Sequence, residues 1–183
     1  KYGLISEYKM NDAEYAIVGL GSMIETAETA ADYLREEKGL KVGVVHITSY
    51  RPFPGKRIVE ALKKVKAFSV LERMDNPLAE SNPLTLEIKA AFTDNLEPDG
   101  NGNIKIPKIY SGSAGLGSRD VRPDDVMAVV ENMLKDDKKY FAIGIDHELA
   151  LETGGSTDIR CEGTFSMRGH SVGGYGSVTT NKI

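Results

Sequence analysis

Residues 15–25 read Tyr-Ala-Ile-Val-Gly-Leu-Gly-Ser-Met-Ile-Glu. The first six are apolar, short and rich in β-branched side chains, which is the pattern of a buried strand. Gly21 then supplies a tight turn. Ser22-Met-Ile-Glu25 has the spacing of a capping box, with Ser22 able to cap the third helical N–H and Glu25 to reach back. Ala27, Ala30, Ala31 and Leu34 recur at helical spacing, and Gly39 stops that helix. A buried strand, a glycine turn and an amphipathic helix make one β/α unit.

The unit recurs. Val42-Gly-Val-Val-His-Ile47 is a second strand, followed by the stiff loop Tyr50-Arg-Pro-Phe-Pro54, in which two prolines fix their own φ and restrict the residues before them. Ile58, Leu62 and Val65 mark a second helix. Ala67-Phe-Ser-Val-Leu71 is a third strand, and residues 83–92 form a helix after a polar loop. Residues 94–103, rich in Asp, Asn, Gly and Pro, read as a surface loop. Lys105-Ile-Pro-Lys-Ile-Tyr110 is a fourth strand, expected at the periphery because Pro107 has no N–H for a ladder. Pro123 opens a last helix, with Val126, Val129, Val130 and Met133 on its apolar face. Tyr140-Phe-Ala-Ile-Gly-Ile145 is a fifth strand. Strands alternating with helices over short links imply a three-layer αβα fold with a mainly parallel five-stranded sheet over residues 1–145. Residues 146–163 read as a polar linker, and 164–183 as an irregular C-terminal tail that begins something new.

The chain has 183 residues, a net charge of -4, and one cysteine, Cys161. The negative balance argues against nucleic acid or an anionic membrane as partner. No apolar run approaches the roughly 20 residues that span a bilayer. A lone cysteine permits no internal disulfide and suits the reducing cytoplasm. It also cannot hold an iron–sulfur cluster or a structural zinc. The opening Lys1-Tyr2-Gly3-Leu4 carries no initiator Met and no signal pattern, so the chain is expected to be a fragment.

Sheets of this kind place ligands and partners at the carboxyl ends of their strands. Gly19-Leu-Gly21 is the first candidate there. A dinucleotide fingerprint needs a third glycine where this chain has Ile24, so a tight structural turn is the better reading. Ser111-Gly-Ser-Ala-Gly-Leu-Gly-Ser118 exposes backbone amides but lacks the Lys-Ser/Thr ending of a P-loop, and reads first as structural. Arg51 and Arg73 lie just past strand ends and must face solvent, an anion or a partner subunit. Asp146, His147 and Glu148 are adjacent on an extended chain and converge poorly on a metal. His170 and Ser171 have neither an acid partner nor a nucleophile elbow. The residues alone describe an α/β domain with no catalytic centre and no metal site of its own.

Several of these segments nevertheless resemble one family. The strand, Gly-Leu-Gly-Ser turn, helix, strand and Tyr50-Arg-Pro-Phe-Pro54 are similar to the transketolase-C-terminal-like domain of pyruvate:ferredoxin oxidoreductase and its 2-oxoacid relatives. Val70 to Pro77, Pro107 to Ser118 and Phe141 to Ile145 resemble its later strands and loops. Arg168 to Lys182 resembles the opening of that family's gamma domain, which implies that residues 164–183 are the truncated start of a gamma-type domain. The resemblance implies oxidative decarboxylation of a 2-oxoacid such as pyruvate to acyl-CoA, with ferredoxin as partner. It implies thiamine diphosphate, Mg, iron–sulfur clusters and coenzyme A in the full enzyme, none of them bound by this fragment, whose role would be structural. Arg51, Pro52, Phe53 and Arg73 would form an interface with the remaining domains or subunits, and a homo-oligomer is compatible with a family that is commonly dimeric. Gly169, Ser171, Gly173, Gly174, Gly176 and Ser177 would contact coenzyme A. Two other readings carry the same fold: the last domain of a transketolase or 2-oxoacid dehydrogenase beta subunit, and a free-standing anion- or nucleotide-binding module.

Overall fold

A computed structural model describes residues 3–165 except 99, 156 and 160–162. In chain order the elements are β1 (Ile5–Tyr8), β2 (Tyr15–Gly19), α1 (Met23–Lys38), β3 (Val42–Ile47), α2 (Gly55–Leu62), β4 (Ala67–Glu72), α3 (Pro83–Asn95), β5 (Lys108–Ser113), α4 (Pro123–Lys135) and β6 (Tyr140–Ala142). The strands form one sheet in the order β1-β3-β2-β4-β5-β6. Every pairing is parallel except β1 with β3. The chain moves outward from β2 to β3 and then returns to β4 on the other side, so the direction of winding reverses between β2 and β4.

Each face of the sheet buries its own core. Ile17, Val44 and Leu71 point toward α1 and α4, where they meet Ala27, Ala31, Val126 and Val129. Val18, Val45, Phe68 and Val70 point the other way, toward α2 and α3, where they meet Ile58, Leu62, Ile88 and Phe92. The Phe68 and Phe92 rings stack 5.7 Å apart. These are the two opposite faces that a period-2 strand must serve when both sides are covered. Every residue of β4 is buried, which fits its place in the interior of the sheet.

Three expectations need correction. The sheet has six strands, not five. The additional β1 is short and carries Ser6 and Glu7 at its middle, so its sequence lacks an apolar signature. It is held by its ladder to β3 and by the Tyr8 hydroxyl, which donates to Asp32 of α1 at 2.8 Å. The strand after Pro107 is interior, between β4 and β6, because Pro107 stands just before the first paired residue and costs the ladder nothing. Ser22 does not cap α1. Its backbone is already helical (φ -62°, ψ -25°), and the turn is made one residue earlier by Gly21 at φ 76°. The first-turn amides of Ile24 and Glu25 donate to the Gly21 and Ser22 carbonyls at 3.1 and 3.2 Å instead.

The far end of α1 follows expectation. Gly39 is left-handed (φ 66°), and the Gly39 and Leu40 amides both return to the Leu34 carbonyl, the latter at 3.0 Å, which closes the helix end. After β6 the chain turns at Gly144, and residues 149–151 run beside the outer edge of the sheet through a single bridge from Ala142 to Ala150. Lys138 holds this segment by donating to the Glu148 and Ala150 carbonyls at 2.9 and 2.8 Å.

The outer half of the sheet depends on one missing methyl group. A Cβ on Gly112 of β5 would lie 2.5 Å from the Phe141 ring and 2.8 Å from Leu71 Cδ2. Replacing Gly112 with Ala is expected to destabilise the protein by about 1–3 kcal/mol through overpacking. Urea unfolding with an unchanged m-value would show it as a lower midpoint.

Candidate functional site

The carboxyl ends of β4 and β5 meet the start of α3, and the polar groups there form one connected network. Glu72 ends β4 and is buried. Its Oε2 accepts the Leu84 amide at 2.7 Å, and its Oε1 accepts both the Thr85 amide and the Thr85 hydroxyl at 3.0 Å. Leu84 and Thr85 lie in the first turn of α3, whose amides have no partner within the helix. A carboxylate from the neighbouring strand therefore caps this helix, where the helix dipole also favours negative charge. Asn82, just before α3, donates through Nδ2 to Ser113 Oγ at 3.0 Å and to the Met74 carbonyl at 3.2 Å. Its Oδ1 accepts the Asn76 amide at 3.0 Å. Ser113 in turn donates to Asp75 at 2.7 Å, and the Ser111 hydroxyl accepts the Asn82 amide at 3.1 Å. A cleft of about 390 Å³ opens over this floor, walled by Leu116, Tyr140, Phe141, Ile145 and Leu149.

Glu72 and Asn82 were not singled out from the sequence, and Ser111 and Ser113 only as part of the glycine-rich stretch that read first as structural. The available signal was an acidic residue closing an otherwise apolar strand, followed by Asn-Pro at a helix start. That combination places a carboxylate where a helix has amides to offer.

The four residues expected at an interface occupy two loops on either side of β2. Arg51, Pro52 and Phe53 follow β3, and the Arg51–Pro52 peptide is cis. Arg51 is exposed and lies over the Tyr50 ring, 4.2 Å from its centroid. Its Nη1 donates to Glu87 of α3 at 3.1 Å, and its Nη2 pairs with the other oxygen of the same carboxylate. Tyr50 joins them by donating to Glu87 at 3.2 Å. The guanidinium holds the Glu87 carboxyl below its usual range. Phe53 is half-buried, edge-on to Tyr50 at 5.8 Å. Arg73 follows β4, is exposed, and lies against Gly115 of the glycine-rich loop. Among the described residues it makes no ion pair.

Gly21 makes the expected tight turn. A Cβ on Gly19 would lie 2.7 Å from Ile24 Cδ1 and 2.8 Å from the Leu71 carbonyl, so the side chain standing where a fingerprint glycine would be is itself the packing partner. His147 Nδ1 accepts the Leu149 amide at 3.1 Å, a local turn contact. Among the described residues no group of three or more His, Cys, Asp or Glu is placed to hold a metal. Among them, too, no helix is long and apolar enough to cross a membrane. Gly169, Ser171, Gly173, Gly174, Gly176 and Ser177 lie outside the described residues, as does Cys161.

Taken together, the geometry defines a doubly wound α/β domain whose carboxyl edge is tied down internally and presents its arginines and loops outward. Residues 13–126 match the family described as pyruvate:ferredoxin oxidoreductase core domain II, and the chain belongs to that family. A pyruvate-flavodoxin oxidoreductase of Nostoc sp. is 32% identical across 100% of this chain, which covers 16% of that relative. A pyruvate synthase subunit of Thermotoga maritima is 34% identical over 78% of this chain and 35% of its own length. A solved 2-oxoglutarate:ferredoxin oxidoreductase from Magnetococcus marinus overlays on 74% of this chain, and 20% of its own, with a TM-score of 0.47 at 20% identity. The chain thus spans about one sixth of the length of the first of these relatives.

Glu72 makes the network testable. Burial pushes its carboxyl above the ordinary glutamate value, against the hydrogen bonds from Leu84 and Thr85 that pull it down. A carboxyl whose folded value exceeds its unfolded one binds its proton more tightly in the folded state. Its contribution to stability is therefore complete below the unfolded value and is lost as pH rises through the folded one. Glu72→Gln turns an acceptor into a donor facing an amide, and should cost about 1–3 kcal/mol. The Gln variant has no proton to lose, so the stability gap from the wild type should be wider near pH ~4 than near pH ~8. Denaturant titrations of both proteins at the two pH values measure it.

Proposed function

We propose that this chain serves as core domain II of a larger 2-oxoacid:ferredoxin oxidoreductase. In that enzyme class a 2-oxoacid such as pyruvate is oxidatively decarboxylated to its acyl-CoA, and the electrons pass to ferredoxin or flavodoxin. The supporting observation is the 32% identity that runs across the whole chain to a pyruvate-flavodoxin oxidoreductase.

Within that enzyme the domain's role is support and assembly. The buried carboxylate of Glu72 is spent on capping a helix, and the Asn82, Ser111 and Ser113 side chains are bonded to one another or to neighbouring backbone. Exposed groups at the same edge are of another kind. Arg51 is pinned in one orientation by Glu87, Arg73 is laid on the glycine loop, and Met74 and Leu78 are 40% and 98% exposed. Arg51, Pro52, Phe53 and Arg73 are the residues assigned to contact the remaining domains or subunits. A guanidinium held by an exposed carboxylate keeps donors for a second partner while losing less rotamer freedom on docking.

Thiamine diphosphate with Mg, and the iron–sulfur clusters, are assigned to other parts of the enzyme, in the cytoplasm. The donor set of this chain does not suit them. One cysteine falls short of the about four thiolates a cluster takes, and the oxygens of Glu72 already accept protein donors. The glycine-rich stretch from Gly169 to Ser177 is the segment assigned to coenzyme A.

The assay is coenzyme A- and 2-oxoacid-dependent reduction of ferredoxin. The full-length polypeptide that carries this chain is expected to show it with pyruvate or a related 2-oxoacid, and the 183-residue chain alone is expected to show none. In the full-length enzyme, the paired change Arg51→Ala and Phe53→Ala should lower the yield of assembled protein while leaving KM for the 2-oxoacid unchanged in what assembles. Turnover by the chain alone, or no 2-oxoacid-dependent reduction by the full-length protein, would overturn the assignment.

A further inference from the structure

Lys9, Lys63, Lys66, Lys108 and Lys135 each pair with a carboxylate, and Lys138 donates to two carbonyls. Lys89 of α3 is held differently. It is half-buried and pairs with no carboxylate among the described residues. Its Nζ donates to the Ser81 hydroxyl at 2.7 Å, and buried Ser81 donates in turn to the Glu80 carbonyl. The same Nζ stands 5.9 Å from the centroid of the Tyr140 ring, and the Nζ of Lys139 stands 5.9 Å from that ring as well. Two ammonium groups thus share one aromatic ring, each near the ~6 Å limit at which a ring steadies a cation.

This is a poor place for a charge. Burial first, and then the Lys139 charge, hold the Lys89 ammonium below the ordinary lysine value, against a weaker pull from Glu80. At neutral pH Lys89 is therefore a free amine for a larger share of the time than a solvated lysine. Ser81 orients that amine by accepting an N–H, so the nitrogen lone pair stays uncommitted. The side chain lines a cleft of about 420 Å³ with Ile106, Pro107 and Tyr110, which gives a small reagent access to it. Asp136 and Asp137 lie on the same cleft, but Asp136 is taken up by Lys108 and Tyr110, and the charges that bear on Lys89 are those of Lys139 and Glu80.

We propose that Lys89 is a site of covalent acylation by small acyl thioesters. The amine lone pair attacks the thioester carbonyl carbon and a C–N bond forms. The C–S bond then breaks, and the departing sulfur takes up the proton that the nitrogen sheds, so an amide and a free thiol result with no oxidant or cofactor. A thioester fits the step because a thiolate is a far weaker base than an alkoxide and leaves more readily. The amide product carries no charge, which suits a half-buried place beside Lys139 better than an ammonium does. The supply of such a thioester rests on the reading above, in which the enzyme releases acyl-CoA. The reactivity of Lys89 does not.

The test treats the protein at constant ionic strength with the acetyl thioester of N-acetylcysteamine, a small donor without a nucleotide, and follows each lysine by peptide mass spectrometry. Lys89 should be acetylated several-fold faster than Lys64, which is exposed after α2. The pH at which its rate is half-maximal should lie below that of Lys64. Lys139→Gln, at an exposed position, should raise that pH for Lys89 and slow its acetylation near pH ~7, with Lys64 unchanged. Acetylation of Lys89 no faster than that of Lys64, or a pH profile for Lys89 that Lys139→Gln does not move, would overturn the site. Because the donor is added, that failure would leave the assigned enzyme class standing, and a full-length protein without ferredoxin reduction would leave the Lys89 result standing.

Discussion

The buried carboxylate of Glu72 is the constraint around which the carboxyl edge of this domain is arranged. A charge taken out of water costs several kcal/mol unless it is paired or well hydrogen-bonded. Here the return comes from the first turn of α3, which has amides with no other partner. The arrangement fixes three things at once. It sets where α3 begins, how that helix stands against β4, and, through the Thr85 hydroxyl 3.1 Å from Ser111, how both meet β5. Asn82 and Ser113 then extend the same network outward to the Asp75 loop. Neutral serines alone could not have held the helix start in this way, because each offers a single hydroxyl where two backbone amides need acceptors.

Glycine complements that network by letting elements approach. Gly19 admits Ile24 and the Leu71 carbonyl, and Gly112 admits Phe141 and Leu71. Both lie next to Leu71, one on each neighbouring strand, so β4 is gripped from both sides at the level just below Glu72. Interiors are packed like organic solids, and a single methyl at either place would have to displace a strand. The stiffness of the carboxyl edge follows from this packing beneath it as much as from the hydrogen bonds along it.

What the sequence disclosed, and what it withheld, divides along the same line. Elements with a period were legible: the apolar runs at 15–20, 42–47 and 67–71 became β2, β3 and β4, and the stripe on 126–133 became the buried face of α4. Gly39 ended α1 as a left-handed residue should. Elements whose reason is tertiary were not. β1 is a strand because β3 has an open side, and nothing in Ile-Ser-Glu-Tyr announces that. Pro107 suggested an edge, but one residue of register decides whether a proline sits in a ladder or before it. Ser22 had the right neighbours for a cap, yet Gly21 had already taken the turn. The Glu72 network was hidden for a related reason, since the hydrogen bonds made by Glu72 and Ser113 join residues 12 to 38 apart and only the crossover brings them together. Arg51 and Arg73 were visible as charges past strand ends, and the structure adds what each touches.

The division of labour at the carboxyl edge then has a physical basis. Polar groups inside the network satisfy one another, so they offer a newcomer little enthalpy, and removing any of them leaves a buried partner orphaned. Groups outside it are the reverse. Arg73 and Leu78 contribute little to the stability of this fold, because exposed charges and exposed apolar side chains have nothing here to bury against. A surface of that composition on a rigid base loses little entropy when something binds, since the base does not reorganise. Rigidity below and unsatisfied groups above are the conditions under which a surface stays in place for a partner to meet.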